Sequence, residues 1–162
     1  MWNGRVWLLW GAWLTAAAAL LHVAIILGGP AWYRFFGAGE RMARLAARGA
    51  ASPLVLTAGI AVVLAGWALY GFSGAGMIGR LPLLRPVLVL IAGVYGARGI
   101  LGIPAVLLTN GPYAAELRGR MPFMIGTSLV CLALAACYAA GAAHVGPPTD
   151  APARAGVPER QE

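Results

Sequence analysis

The chain has 162 residues, 60% of them hydrophobic and only 10% charged, with a mean hydropathy of +0.78. A soluble domain carries about 25% charged residues, so this chain has too little polar surface to cover itself in water, and its solvent is a bilayer. The formal charge of +7 comes from twelve arginines, with no lysine, against five acidic residues; it lies almost wholly outside the apolar runs, where it suits lipid headgroups and excludes the basic face of a soluble nucleic-acid binder.

A helix crosses the hydrocarbon with about 20 apolar residues, and four runs qualify. The first, residues 6–27, is too long for the core of a signal peptide. Loop 1, residues 28–52, contains GERMARLAARG, which puts Arg41, Arg44 and Arg48 on one helical face and Met42, Leu45 and Ala46 away from it. A short helix lying in the membrane interface fits that pattern; a solvated helical loop is the alternative. The second span is 53–72. Loop 2 holds GAGMIG, a formal match to the dinucleotide-binding G-x-G-x-x-G, but it follows a membrane helix and opens no βαβ unit. Glycines in a tight turn account for it. The third and fourth spans are 83–108 and 122–143. From residue 146 onward, GPPTDAPARAGVPERQE has the Pro-rich, polar composition of a disordered tail, which leaves 1–145 as the transmembrane domain. The alternating ten-residue segments of a β-barrel do not occur. The expected fold is all-α: a polytopic membrane protein, a four-transmembrane-helix bundle with a short interfacial helix in loop 1.

Two loops share a faint pattern. Gly29-Pro30, Tyr33, Glu40, Arg41, Arg44 and Pro53 run parallel to Gly111-Pro112, Tyr113, Glu116, Arg118, Arg120 and Pro122. The spacings differ and Gly-Pro is a common helix ending, so coincidence is the simpler reading. Cys131 and Cys137 sit six helical residues apart, about 9 Å of rise, which exceeds the roughly 7 Å that a disulfide spans. They read as buried apolar residues.

The polar residues inside the spans lean to one side. His22 is near the end of the first span, Thr57 near the start of the second, Thr127 and Ser128 near the start of the fourth, and Arg98 in the second half of the third. Most of the polar residues within the spans thus lie toward the side of loops 1 and 3. On the other side Trp7, Trp10, Trp67, Tyr70 and Tyr138 form the expected aromatic belt. An arginine at helix centre costs about 2.5–3.5 kcal/mol on insertion scales. Arg98 sits roughly 15 Å below the nearer surface at 1.5 Å per residue, and helical side chains tilt toward the N-terminus. The expectation is that it faces the bundle interior, within reach of His22. Glycines 93, 96, 99 and 102 leave room beside it, and Tyr95 shares its face one turn earlier. No span carries a carboxylate, so the partners are backbone carbonyls, hydroxyls, His22, a folded-in Glu40 or Glu116, or an anionic ligand. The candidate ligand-binding set is His22, Arg98, Tyr95, Glu40, Thr57, Thr127 and Ser128. Arg98 bonded to backbone and pinning loop 1 is the plain structural alternative.

No metal site and no cofactor are expected. His144 lies at the opposite end from His22, so the two cannot ligate one haem, and no Cys–His pair is placed for nucleophilic catalysis. His22 followed by GGP at 28–30, together with YGARG at 95–99, resembles uncharacterised families of small four-helix bacterial integral membrane proteins. These carry a first-helix His before Gly-Gly and an aromatic-x-x-Arg in the third helix. The resemblance implies four helices in a bacterial inner (cytoplasmic) membrane, and no activity. The expected function is a non-enzymatic, multi-pass membrane protein. Its polar intramembrane site around His22 and Arg98 takes a small anionic or amphiphilic ligand, or the protein acts as an accessory subunit. The alternatives are a small transporter for an anionic solute and a membrane-bound redox subunit. Expected partners are the bilayer and its anionic headgroups, with a second copy or another membrane protein as the protein partner and no nucleic acid. Six arginines (34, 41, 44, 48, 118, 120) lie on the loop 1/3 side and five on the other, which puts loop 1 in the cytoplasm.

Overall fold

In the computed structural model, which describes residues 4–146, the chain is all-helical. The elements are α1 (Gly4–Phe35), α2 (Glu40–Ala47), α3 (Ala51–Gly74), α4 (Leu84–Leu108), α5 (Pro112–Arg118) and α6 (Met121–His144). Helices α1, α3, α4 and α6 are long and apolar enough to cross a membrane, at the positions the apolar runs predict. They are apolar on every side, as helices solvated by lipid are. Trp10, Leu20, Leu27, Val62 and Ile100 stand exposed on their outer faces, an arrangement that water would not tolerate over so wide a surface. The molecule is a multi-pass integral membrane protein. Of the expected tail from residue 146, only Gly146 lies among the described residues.

Helices α1 and α3 form one antiparallel hairpin and α4 and α6 another. Helix α1 also runs along α6, while α3 and α4 meet over a shorter stretch. The order around the bundle is therefore α1, α3, α4, α6, with α1 diagonal to α4. Small residues set the closest approaches. A Cβ on Gly71 of α3 would lie 2.8 Å from Ala12 Cβ and 3.2 Å from Ala12 Cα of α1.

The hairpins share a core at one end only. Leu8, Leu64, Leu88, Ile91, Leu134 and Tyr138 pack together in the half that holds the N-terminus and loop 2. In the half nearer loops 1 and 3, each hairpin has a core of its own: Ile25, Tyr33 and Ala43 in the first, Val106, Leu117 and Met124 in the second. At the boundary between these halves, buried hydroxyls join all four spans. Tyr138 donates to Thr15 Oγ1 at 3.1 Å and to the Trp67 carbonyl at 3.3 Å, and Thr15 Oγ1 lies 3.3 Å from the Tyr95 hydroxyl. Tyr138 is fully buried, so it is not part of the aromatic belt expected of it: its hydroxyl finds interior partners and its ring stacks on Tyr95 at 6.1 Å. Trp7 and Trp10 are exposed as that belt requires, whereas Trp67 is half-buried with its ring against Tyr95.

Helix α1 is broken at Gly29, whose φ of 63° and ψ of −152° fall in a region essentially reserved for glycine. Pro30 then restarts the helix, since its missing N–H and fixed φ suit a first turn. Gly111-Pro112 opens α5 in the same manner. The parallel between the two loops thus has a structural counterpart, a Gly-Pro step that begins a short helix in each hairpin. In loop 2, Ser73 Oγ accepts from Leu81 N and donates to the Gly79 carbonyl, both at 2.9 Å, closing the turn that contains GAGMIG.

Candidate functional site

Loops 1 and 3 are stitched together above the bundle. Helix α2 has no side-chain cap of its own; Glu116 from α5 supplies one, its Oε2 accepting from Glu40 N at 2.9 Å. Tyr113 donates to the Gly37 carbonyl at 3.1 Å. Arg120 donates to the Arg34 carbonyl and, at 3.0 Å, to that of Phe35. Arg34 forks onto Glu40, Nε to Oε2 at 2.7 Å and Nη2 to Oε1 at 3.1 Å. That hydrogen bond, with the charges of Arg34 and Arg44, holds the Glu40 carboxyl below its ordinary value of 4.5. Arg34, Glu40, Glu116 and Arg120 line a cleft of about 340 Å³ between the hairpins. Glu40 therefore belongs to this exposed cap, and it is ion-paired already. Helix α2 lies on α1 and α3 with Ala43 buried and Arg41, Arg44 and Arg48 exposed, the orientation read from GERMARLAARG.

The remaining candidates separate. Tyr95 is buried in the shared core, bonded to Thr15 and packed on Trp67 and Tyr138; it holds helices together. Thr127 satisfies its own helix, Oγ1 donating to the Met124 carbonyl at 3.1 Å. Thr57 is buried on α3. His22 is half-buried, and its Nδ1 lies 2.8 Å from the Ala18 carbonyl one turn back. Cys131 and Cys137 are free thiols.

Arg98 departs from expectation in two ways. It is exposed, so the enclosed position is not the one it takes, and no hydrogen bond or ion pair joins it to His22 or to any other described residue. The side chain also runs the other way along the helix. A Cβ on Gly102, one turn toward the C-terminus, would collide with the Arg98 guanidinium. The absent side chain at 102 opens that path, and it leads toward the nearer membrane surface, as snorkelling requires.

Ser128 adjoins it. The same Cβ on Gly102 would lie 3.4 Å from Ser128 Oγ. Ser128 is only 3% exposed, and its Oγ is a buried side-chain polar atom without a hydrogen-bond partner. An orphaned hydroxyl in such a place costs about 1–3 kcal/mol. The two polar groups beside Gly102 are thus a guanidinium with five donors and a hydroxyl with one, both unused. An oxyanion is the chemistry they fit. The sequence pointed to both residues; Gly102, which lets them approach, was noted only as packing space. Tyr113, Glu116 and Arg120 of the cap carried a signal in the paired loop pattern, which spacing alone did not make convincing, and Arg34 lay outside that pattern.

Comparison with protein-family models, curated proteins and solved structures finds no match, so the site is read from its own chemistry.

Proposed function

We propose that this integral membrane protein, of a bacterial inner membrane, is a non-enzymatic binder of an anionic ligand at an intramembrane site whose polar groups are Arg98 and Ser128. One observation carries the reading: two adjacent polar side chains within apolar spans, one charged and one buried, have no partner among the described residues. Natural membrane interiors retain such groups where a ligand or a neighbouring chain satisfies them. His22 stays outside the site in this reading, with its ring nitrogen turned to its own helix.

The test is chemical identification. The full chain, extracted in mild detergent, is analysed for retained small molecules by mass spectrometry beside Arg98→Gln. The wild type retains an organic anion in near-stoichiometric amount, and Arg98→Gln loses it. Equal recovery of anions from both proteins would overturn the reading.

A further inference from the structure

Resting on that reading, we propose that the anion is the headgroup of an anionic phospholipid. The lipid enters sideways between α3 and α4 and lays an acyl chain along α3. Direction comes from the helix geometry. Gly96 and Gly99 approach Ala135 and Leu132 of α6, which places α6 on one flank of Tyr95. At about 100° per residue, the Arg98 side chain leaves α4 on the opposite flank, the side on which Tyr95 meets Trp67 of α3, and its guanidinium, folded over Gly102, keeps Ser128 of α6 at its inner edge. Val94 and Leu101, one turn below and above Arg98 on that side, are both exposed. The polar group thus opens between apolar side chains, as an amphiphile needs.

Depth agrees. Helix α4 has 25 residues, about 37 Å at 1.5 Å per residue, against a hydrocarbon thickness of about 30 Å. Centred, it overhangs by roughly 4 Å at each end. The Cα of Arg98 then lies about 11 Å below the boundary, and the level of Gly102, where the guanidinium sits, about 5 Å below it. A phospholipid phosphate drawn slightly inward reaches that level.

The tail has a place as well. Val55, Gly59, Ile60, Val63 and Trp67 line an apolar groove of about 610 Å³ on α3. Taking Trp67 as level with Tyr95, the groove rises about 18 Å toward loop 1, and the guanidinium lies about 10 Å up on the same scale. Head site and tail groove therefore share a depth, on the flank where α3 and α4 pack least and the hairpins have separate cores. At the loop 1 end, the exposed arginines 41, 44 and 48 of α2, which packs on α1 and α3, enrich anionic lipid in that leaflet.

Native mass spectrometry of the full chain released from nanodiscs of equal parts phosphatidylglycerol and phosphatidylcholine tests this, with inorganic phosphate added in a separate arm. Wild type should retain phosphatidylglycerol over phosphatidylcholine by about tenfold, a difference of one charge-assisted contact, and should hold no inorganic phosphate. Arg98→Gln should lose the preference, and Arg98→Lys should keep part of it. Gly59→Leu is the folding-safe variant, because a Cβ at Gly59 meets nothing within 4 Å; filling the groove should lower occupancy of both lipids with the headgroup preference retained. Arg98-dependent retention of inorganic phosphate without lipid preference would overturn the lipid proposal and leave an anion site standing. Unchanged lipid preference in Arg98→Gln, with Gly59→Leu also unchanged, would overturn both.

Discussion

A single side chain ties the four spans at mid-depth. Tyr138 reaches Thr15 of α1 and the Trp67 carbonyl of α3 while its ring stacks on Tyr95 of α4. Within membranes such hydrogen bonds contribute about 0.6 kcal/mol on average and up to about 1.7. Tyr138→Phe keeps the ring and should lower unfolding stability in detergent by about 1 kcal/mol, measured by denaturant titration. No loss at all would mean the hydroxyl is satisfied elsewhere. Residue scale is also where sequence reading fell short. The presence of an unpaired arginine among apolar residues was legible from Arg98 and its carboxylate-free surroundings. Its direction was not, because the usual tilt of a helical side chain gave way to the gap at Gly102 and to a bundle that is not closed at that level. Tyr138 was misread for a similar reason: a tyrosine near a helix end suits an aromatic belt or an interior bond equally well, and only Thr15 and Trp67, distant in sequence, decide between them.

Elements were far more legible. An apolar run of 20 residues or more has few alternatives to a spanning helix, and the four observed helices lie where those runs are. The short helix in loop 1 and its outward face were legible in the phase of Arg41, Arg44 and Arg48. The break at Gly29 was read as a simple ending because glycine then proline says where a helix stops and not whether another resumes. Two glycines separate backbone cost from space. A Cβ on either Gly29 or Gly59 meets nothing within 4 Å, but only Gly29 has positive φ. Gly29→Ala should destabilise by about 1–3 kcal/mol. Gly59→Ala should be neutral or stabilising by up to about 1 kcal/mol, the helix-propensity difference. Thermal unfolding of both variants in one detergent checks the pair, and equal effects would contradict the assigned backbone at Gly29. Glu40 adds a pH dependence at this scale. Its carboxyl is held low by Arg34, so its contribution to loop 1 is present above 4.5 and is lost as the pH falls through the lowered value. Proteolysis within loop 1 should therefore quicken in acid relative to Glu40→Gln, whose sensitivity should stay level.

At the scale of the molecule, two hairpins joined by a common core at one end and by a polar cap of Arg34, Glu40, Tyr113, Glu116 and Arg120 at the other leave the level between them least packed. That level holds the unpartnered Arg98 and Ser128. Six arginines on the side of loops 1 and 3 against five opposite predict a cytoplasmic loop 1 by the positive-inside rule; labelling of single cysteines in loops 1 and 2 from outside intact cells should then mark loop 2 alone, and labelling of loop 1 alone would reverse the orientation. The measurement closest to the central claim, that position 98 opens sideways to lipid, is fluorescence quenching. An environment-sensitive label at Arg98→Cys, in a chain with Cys131 and Cys137 replaced by alanine, is reconstituted in vesicles and exposed either to nitroxide carried on lipid chains or to aqueous iodide. Strong quenching by the lipid nitroxide and little by iodide is the predicted result, and dominant quenching by iodide, or by neither, would contradict it.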